Sequence, residues 1–489
     1  MLRRFGRILS SVLLGLSATS AAAQSGGPLA FDADIADWQL ADFDGDRDND
    51  FVVFTGYGAT RSAVFVFQGD DGVFSERVAI KLPSDAIAFC LGAFTKTRGS
   101  DLALLSPTGV RILAISAERK VALAPEPHAV ETLFRGSGFG APALLHWPTD
   151  VDGDGFDDVH VPTDHGLTVL FGAGNGAFAA TGASLPLGGE RYAQTSAEGG
   201  VELVRSYPRA VFSNVAGSPL ADVAWFDERG FSAFVQESPR RFAPAPIVFP
   251  LAWLSSGEAS GVVEQTDVQL ADVDADGAGD LILARMQTRD GQILDMTTTL
   301  VVLVNTRADP IFPRAPSTAL KLKGVVGLGP TLVDVDADGK LDLVYGTYAQ
   351  GLGDAVSRLF SRVPVSVHIH RGTGAARTPF PTAPDLSVKS AVDADDFERF
   401  GARTTLSAVN DFDGDGLVDF VEISRRKDGR TAAVRPGGMR GKKFDFAAEP
   451  RKSVELGDFD DLSCRTLRSG GPCAFIVRKK NVLIVVRVP

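Results

Sequence analysis

TLVDVDADGKLDLVYG, residues 331–346, holds an apolar run, four aspartates at Asp334, Asp336, Asp338 and Asp342, and a second apolar run. Its nine-residue frame, D-x-D-x-D-G-x-x-D, returns as DVDGDGFDD at Asp150–Asp158, DVDADGAGD at Asp272–Asp280 and DFDGDGLVD at Asp411–Asp419. A fifth copy, DFDGDRDND at Asp42–Asp50, keeps all four carboxylates but has Arg47 where the others have glycine. Three more stretches keep the frame and lose most of the acids. GAFTKTRGSDLALL retains Asp101, NVAGSPLADVAWF retains Asp222, and GDFDDLSCRTLRSGGPCAFIV retains Asp458 and Asp460 before departing. Self-similarity of this kind marks a repeat architecture, and eight units of roughly 50–80 residues account for nearly the whole chain.

Each unit follows one internal order. An apolar strand leads into the acidic loop; a second strand follows it, as in DFVVF, DLILA or DLVYG; a third comes next, as in SAVFVFQG, LTVLFG, LVVLVN or VSVHIHRG. A glycine-rich turn then ends at a phenylalanine: Phe74, Phe178, Phe242, Phe312, Phe380 and Phe444. Short runs of β-formers bounded by Gly, Asp and Pro are strand signals, and none of these runs has helical spacing. Three or four strands per unit is the arithmetic of a propeller blade. The expected fold is therefore all-β: a single closed β-propeller of eight blades (seven being the alternative count), each of four antiparallel strands. The last unit ends one strand short, after VLIVVRV, while PLAFDA at Pro28–Ala33 precedes the first unit. We expect this N-terminal strand to complete the last blade, with Phe31 as the counterpart of the turn phenylalanines, so that closure leaves no exposed edge.

The repeats resemble the FG-GAP/VCBS family, the integrin-α-like propeller blades of many secreted bacterial proteins. The resemblance rests on the acidic loop, the apolar strand after it and the later G-x-G-x-x-F turn. It covers roughly residues 30–489 and departs in units two, four and eight. It implies recognition of a protein or a glycan on one face of the ring. Some calcium-containing propellers that this chain resembles are polysaccharide lyases, so a propeller-fold lyase or other carbohydrate-active enzyme is the alternative function.

The acidic loops carry their own chemistry. Aspartates at positions 1, 3 and 5 put short carboxylates on the inside of a tight loop, position 7 offers a carbonyl, and the position-9 aspartate closes the cage. Glycine at position 6 permits the sharp turn, as in EF-hand loops. So many carboxylates held close need a cation, and hard oxygen ligands in a flexible loop favour Ca²⁺ over zinc or copper. The expected ligands are Asp42, Asp44, Asp46 and Asp50; Asp150, Asp152, Asp154 and Asp158; Asp272, Asp274, Asp276 and Asp280; Asp334, Asp336, Asp338 and Asp342; and Asp411, Asp413, Asp415 and Asp419. They would hold about four to five structural calcium ions. True EF-hands need a glutamate at position 12 and flanking helices, and here position 12 falls in strand sequence.

Residues 1–23 read as a secretory signal peptide: Arg3, Arg4 and Arg7, an apolar stretch from Ile8 to Leu16, and Ala21-Ala22-Ala23 before Gln24. The mature propeller would span 24–489, exported to the periplasm, the cell surface or the medium. No later apolar run is long enough to span a membrane. The chain has 489 residues with 44% hydrophobic and 22% charged content, which excludes disorder, and three cysteines, which exclude a small disulfide scaffold. The formal charge of −12 argues against nucleic acid as a partner. A monomer is expected. In an oxidising compartment Cys464 and Cys473 are expected to form a disulfide closing the eighth loop, leaving Cys90 as a buried thiol.

No G-x-S-x-G, H-E-x-x-H, P-loop or dinucleotide fingerprint stands in a suitable context, so no catalytic residue is assigned. His368 and His370 share one face of a strand. The basic clusters Arg240-Arg241, Arg425-Arg426-Lys427 and Arg440-Lys442-Lys443 read as solvated turns. Two inserts, 347–363 and 381–402, break the rhythm and are the expected binding rim.

Overall fold

The computed structural model describes residues 27–488 apart from 135–140, 146–148, 189, 196–200, 207, 228–229, 251–261, 290–291, 324, 349–361 and 401–405. The signal-peptide segment 1–23 lies outside the described residues. So does most of the 347–363 insert.

Eight antiparallel sheets follow one another around the ring as blades. Blade 1 is built from Ile35–Ala41, Asp50–Thr55, Ser62–Gln68 and Phe74–Lys81, paired in that order. Blade 5 (Val262–Ala271, Asp280–Arg289, Gln292–Leu303, Thr318–Lys323) and blade 6 (Val325–Val333, Asp342–Tyr348, Arg362–His370, Leu386–Asp393) repeat the pattern. Blade 4 (Ala210–Ser213, Asp222–Asp227, Gly230–Phe234, Ile247–Phe249) and blade 7 (Leu406–Asn410, Asp419–Arg426, Gly429–Arg435, Lys452–Gly457) insert a small hairpin before the outer strand. Blade 2 is formed by Ala88–Gly92, Asp101–Ser106 and Gly109–Ile115, the last carrying two short outer pieces. Blade 3 pairs Val159–Thr163, Gly166–Leu170 and Ala183–Leu185.

Blade 8 closes the ring with chain from both ends. Its sheet runs Asp461–Thr466, Cys473–Lys479, Val482–Arg487 and then Leu29–Ala30, with Leu29 opposite Leu483 and Ala30 opposite Val482. Eight hydrophobic clusters lie between the blades, one in each seam, including one that joins blade 8 to blade 1. Eight seams for eight blades decide the count.

This packing explains the unbroken apolar second strands. Successive side chains of a strand face opposite ways. In blade 1, Phe51 and Val53 enter the seam with blade 8, while Val52 and Phe54 enter the seam with blade 2. Both faces are buried, so the strand has no polar side. The turn phenylalanines plug the seam with the preceding blade: Phe74 sits 4.8 Å from Phe51, and Phe312 sits 5.2 Å from Phe231. Phe31 departs from this rule. It is buried in the seam with blade 1, the following blade, so it is a closure residue and not the counterpart of Phe74.

The 381–402 segment is regular structure and not an inserted loop over residues 386–400. Leu386–Asp393 is the outer strand of blade 6, and Ala394–Phe400 is a short helix anchored to blades 7 and 8. Asp396 and Arg430 form a buried ion pair at 2.7 Å, and the Arg430 guanidinium lies 4.9 Å from the Phe400 ring and 4.7 Å from the Phe459 ring. The segment is a clamp on the 7–8 seam.

Candidate metal centres

In blades 1, 5, 6 and 7 the acidic loop joins the first and second strands, so these four emerge at the same end of the ring, and in blade 3 it leads directly into Val159–Thr163. Their backbone is wired by their own side chains. The position-1 aspartate accepts N–H bonds from inside the turn: Gly45 and Arg47 donate to Asp42 at 2.7 and 2.9 Å, and Gly414 and Gly416 donate to Asp411 at 2.7 and 2.8 Å. The position-5 aspartate accepts the N–H of position 7, as Asp154 does from Phe156 at 3.0 Å. Position 6 is left-handed in every copy, with φ of 77° at Arg47 and 82–90° at the glycines. This is why glycine dominates there.

Three carboxylate oxygens per loop lie within 4.8 Å of one another: Asp42, Asp44 and Asp50; Asp150, Asp152 and Asp158; Asp272, Asp274 and Asp276; Asp334, Asp336 and Asp342; Asp411, Asp413 and Asp419. Asp46, Asp154, Asp338, Asp415 and Asp280 stand outside these triads. The donor set is hard oxygen throughout, and Asp274 Oδ1 is buried without a hydrogen-bond partner, so the residues fit a calcium ion.

The position-9 aspartate has a second role. Asp50 accepts N–H bonds from Phe43 and Gln68, Asp158 from Val151 and Gly172, Asp280 from Val273 and Asn305, and Asp419 from Phe412 and Gly437. One carboxylate thus ties the start of the loop to the end of the third strand. Asp101 and Asp222, the sole acids kept in blades 2 and 4, do the same: Asp101 accepts from Ile115 N at 2.9 Å, and Asp222 from Val215, Ala216 and Gln236, each at 2.8 Å. Blades 2 and 4 thus retain the bracketing aspartate where their loops have lost the other acids.

Burial pushes Asp50, Asp158 and Asp280 up to about 7, and Asp342 and Asp419 up to about 6, with the backbone donors pulling back against it. The metal-free folded chain therefore holds protons that the unfolded chain releases. The stability these groups contribute is fully present below about pH 4 and is lost as the pH rises through 7. In excess chelator the protein is expected to melt at a higher temperature at pH 5 than at pH 8. A melting temperature that rises with pH over that range would remove this account.

The basic residues around the loops were not legible as partners. Arg119 reaches Asp44 at 2.7 Å, Arg307 reaches Asp276 at 3.0 Å, and Arg240 and Arg371 pair with Asp152 and Asp336. Arg240 is thus an ion-pair residue, where its Arg240-Arg241 cluster suggested a solvated turn. The signal available was positional: Arg240 stands two residues before the turn phenylalanine Phe242, where blades 1 and 3 have Gly72 and Gly176.

The expected Cys464–Cys473 disulfide is corrected as well. Both are free thiols, and Cys464 lies opposite Phe475 while Cys473 lies opposite Thr466, so the two stand diagonally across the strand pair. The eighth loop is held by blade 1 instead. Arg468 makes two bonds to buried Asp48 at 2.5 and 2.6 Å, Asn49 N donates to Leu467 O at 2.8 Å, and Ser469 N donates to Arg47 O at 3.1 Å.

His368 and His370 are occupied structurally. His370 bonds the Tyr345 hydroxyl at 2.9 Å and the Pro381 carbonyl at 2.8 Å. His368 bonds Thr347 at 3.1 Å and Ser387 at 2.9 Å. His160 is buried against Phe212, and His146 lies outside the described residues.

No family model matches the chain. No curated protein matches it either. Among solved structures it is similar to an Agrocybe aegerita lectin that recognises non-reducing terminal N-acetylglucosamine, at 14% identity and a TM-score of 0.42, over 92% of this chain and 96% of that one. It is similar to an exotype rhamnogalacturonan lyase at 11% identity and a TM-score of 0.26, over 94% of this chain and 75% of that one. It is also similar to the Vibrio (V. cholerae) biofilm matrix protein Bap1 at 12% identity and a TM-score of 0.23, over 93% and 76%. At these values none of them lends its ligand or its activity to this chain.

Proposed function

We propose that this is an exported propeller of the FG-GAP/VCBS kind, in which structural calcium organises the loop face and the ring presents a binding surface for a protein or a glycan. The observation that supports it is the recurrence of one carboxylate triad, five times, in the loop that leads into an apolar strand in blades 1, 3, 5, 6 and 7. When bound, calcium would neutralise the triads and fix the loops that border one face. The side chains that would hold it are the position-1 and position-3 aspartates with position 9 or, in blade 5, position 5. A propeller-fold lyase or other carbohydrate-active enzyme is the second reading.

Chelation is expected to lower the melting temperature by several degrees, and added Ca²⁺ to restore it, because a ligand that binds only the folded state stabilises by mass action. An unchanged melt in excess chelator would mean that the loops are plain turns. A glycan array run beside a lyase assay tests the surface: captured glycan without new absorbance supports binding, and unsaturated uronate absorbance would transfer the protein to the lyases.

A further inference from the structure

Two arginines occupy glycine's place in the turn before the outer strand. Blade 1 has Gly72-Val73-Phe74 and blade 3 has Gly176-Ala177-Phe178, both glycines at φ 76°. The aligned residues in blades 2 and 4 are Arg119, two before Val121, at φ 62°, and Arg240, two before Phe242, at φ 65°. A left-handed arginine is strained, and strain held by the surrounding structure points to a task.

The task is visible in the contacts, and it is built twice in the same way. Arg119 of blade 2 reaches back to the loop of blade 1, with Nε 2.7 Å from Asp44 and Nη2 3.6 Å from Asp46, and its guanidinium lies 5.3 Å from the Phe67 ring. Arg240 of blade 4 reaches back to the loop of blade 3, pairing with Asp152 and bonding Asp154 at 2.9 Å, and lies 5.4 Å from the Phe171 ring. In each case the arginine comes from a blade whose own loop has lost its acids, and it engages positions 3 and 5 of the preceding loop. The position-3 side chains, Asp44 and Asp152, are 3% and 2% exposed. The blade 7 loop differs. Among the described residues no basic group pairs with Asp411, Asp413, Asp415 or Asp419, and Asp413 is exposed.

We propose that Arg119 and Arg240 are resident counter-cations that latch the loops of blades 1 and 3 to the following blades. They hold calcium affinity down there, so that the blade 7 loop answers calcium first. This rests on the reading of the acidic loops as calcium loops. A guanidinium and a calcium ion compete for the same carboxylates, and the fixed one is covalently present at every calcium concentration. The loops of blades 1 and 3 thus keep one of their negative charges offset without metal.

The test is calorimetric calcium titration of the full chain, with melting in chelator measured alongside, for the wild type, Arg119→Gly with Arg240→Gly, and Asp413→Asn. Glycine is the residue blades 1 and 3 use at this turn, so it relieves strain as it removes the charge; Arg119→Gln with Arg240→Gln is the second pair should the first fold poorly. The arginine-free chains are expected to bind two calcium ions at least tenfold more tightly than the wild type and to melt lower in chelator. Asp413→Asn is expected to abolish the tightest wild-type phase. Arginine-free chains that bind calcium no better than the wild type would overturn the proposal while leaving the calcium loops standing. Absence of calcium heat in every chain would overturn both.

Discussion

A chain lacking residues 24–34 is expected to lose about 5 kcal/mol or more of unfolding free energy and to associate with itself as its concentration rises. Leu29 and Phe31 are both buried in the seam between blades 8 and 1, among Ile35, Phe51, Phe74 and Ile476. Truncating a buried leucine costs about 2–5 kcal/mol and a buried phenylalanine about 3–5, so their joint removal consumes a large part of the roughly 5–15 kcal/mol by which a domain is stable. Hydrogen bonds go with them. Phe31 N donates to Asn481 O at 2.9 Å, the Asn481 amide donates to Phe31 O at 2.7 Å, and Arg77 donates to Ala30 O at 2.7 Å. What remains is Val482–Arg487 as an uncovered edge strand, an open template for pairing with another chain. Denaturant unfolding measures the first effect and light scattering against concentration the second. Phe31→Ala alone is expected to show about 3–5 kcal/mol of the loss without exposing the edge. A truncated chain with unaltered stability would mean that the ring is closed by something other than this strand.

The ring was legible because its information is repeated. A single acidic loop is ambiguous between an EF-hand, a turn and a propeller loop, whereas five in one frame, each followed by a β run, leave little freedom. Periodicity also carried the N-terminal closure, since a last unit short by one strand and a first strand without a unit complete each other. What escaped was set by neighbours across seams, which a frame within one repeat does not encode. Phe31 looked like a turn phenylalanine by its position relative to the strand, yet the outermost strand of blade 8 turns it towards blade 1. Cys464 and Cys473 looked like a closure because nothing local offered another; the closure is Arg468 on Asp48, residues 420 positions apart in sequence. The insert at 381–402 hid a regular outer strand because Leu386–Asp393 alternates exposed Lys and Ser with apolar residues, the pattern of a half-covered edge and not of an apolar core strand.

The position-9 aspartate separates fold from metal, and Asp222 is where the separation can be measured. Blade 4 has no other acid in its loop frame, so any effect of changing Asp222 is an effect on the blade. The residue is fully buried and accepts three backbone N–H groups, from Val215 and Ala216 at the loop start and from Gln236 beyond the third strand. Asp222→Ala strands all three donors in a dry site. An orphaned buried donor costs about 1–3 kcal/mol, so the loss is expected to be about 3–6 kcal/mol, allowing for partial rescue by water. Asp222→Asn keeps one acceptor and turns an amide towards donors already there, for an expected loss of about 2–4 kcal/mol. Both losses should be equal in calcium and in chelator. Asp280→Ala in blade 5 removes the same bracket beside the Asp272, Asp274 and Asp276 triad, and its cost should be greater in calcium than in chelator. If Asp222→Ala proves harmless, the bracket is not what the reduced repeats preserve; if its cost depends on calcium, blade 4 holds a metal without its acids. Equal losses in the two conditions would place this one carboxylate beneath both the ring and its ion sites, the residue a blade can keep after shedding every other acid in the motif.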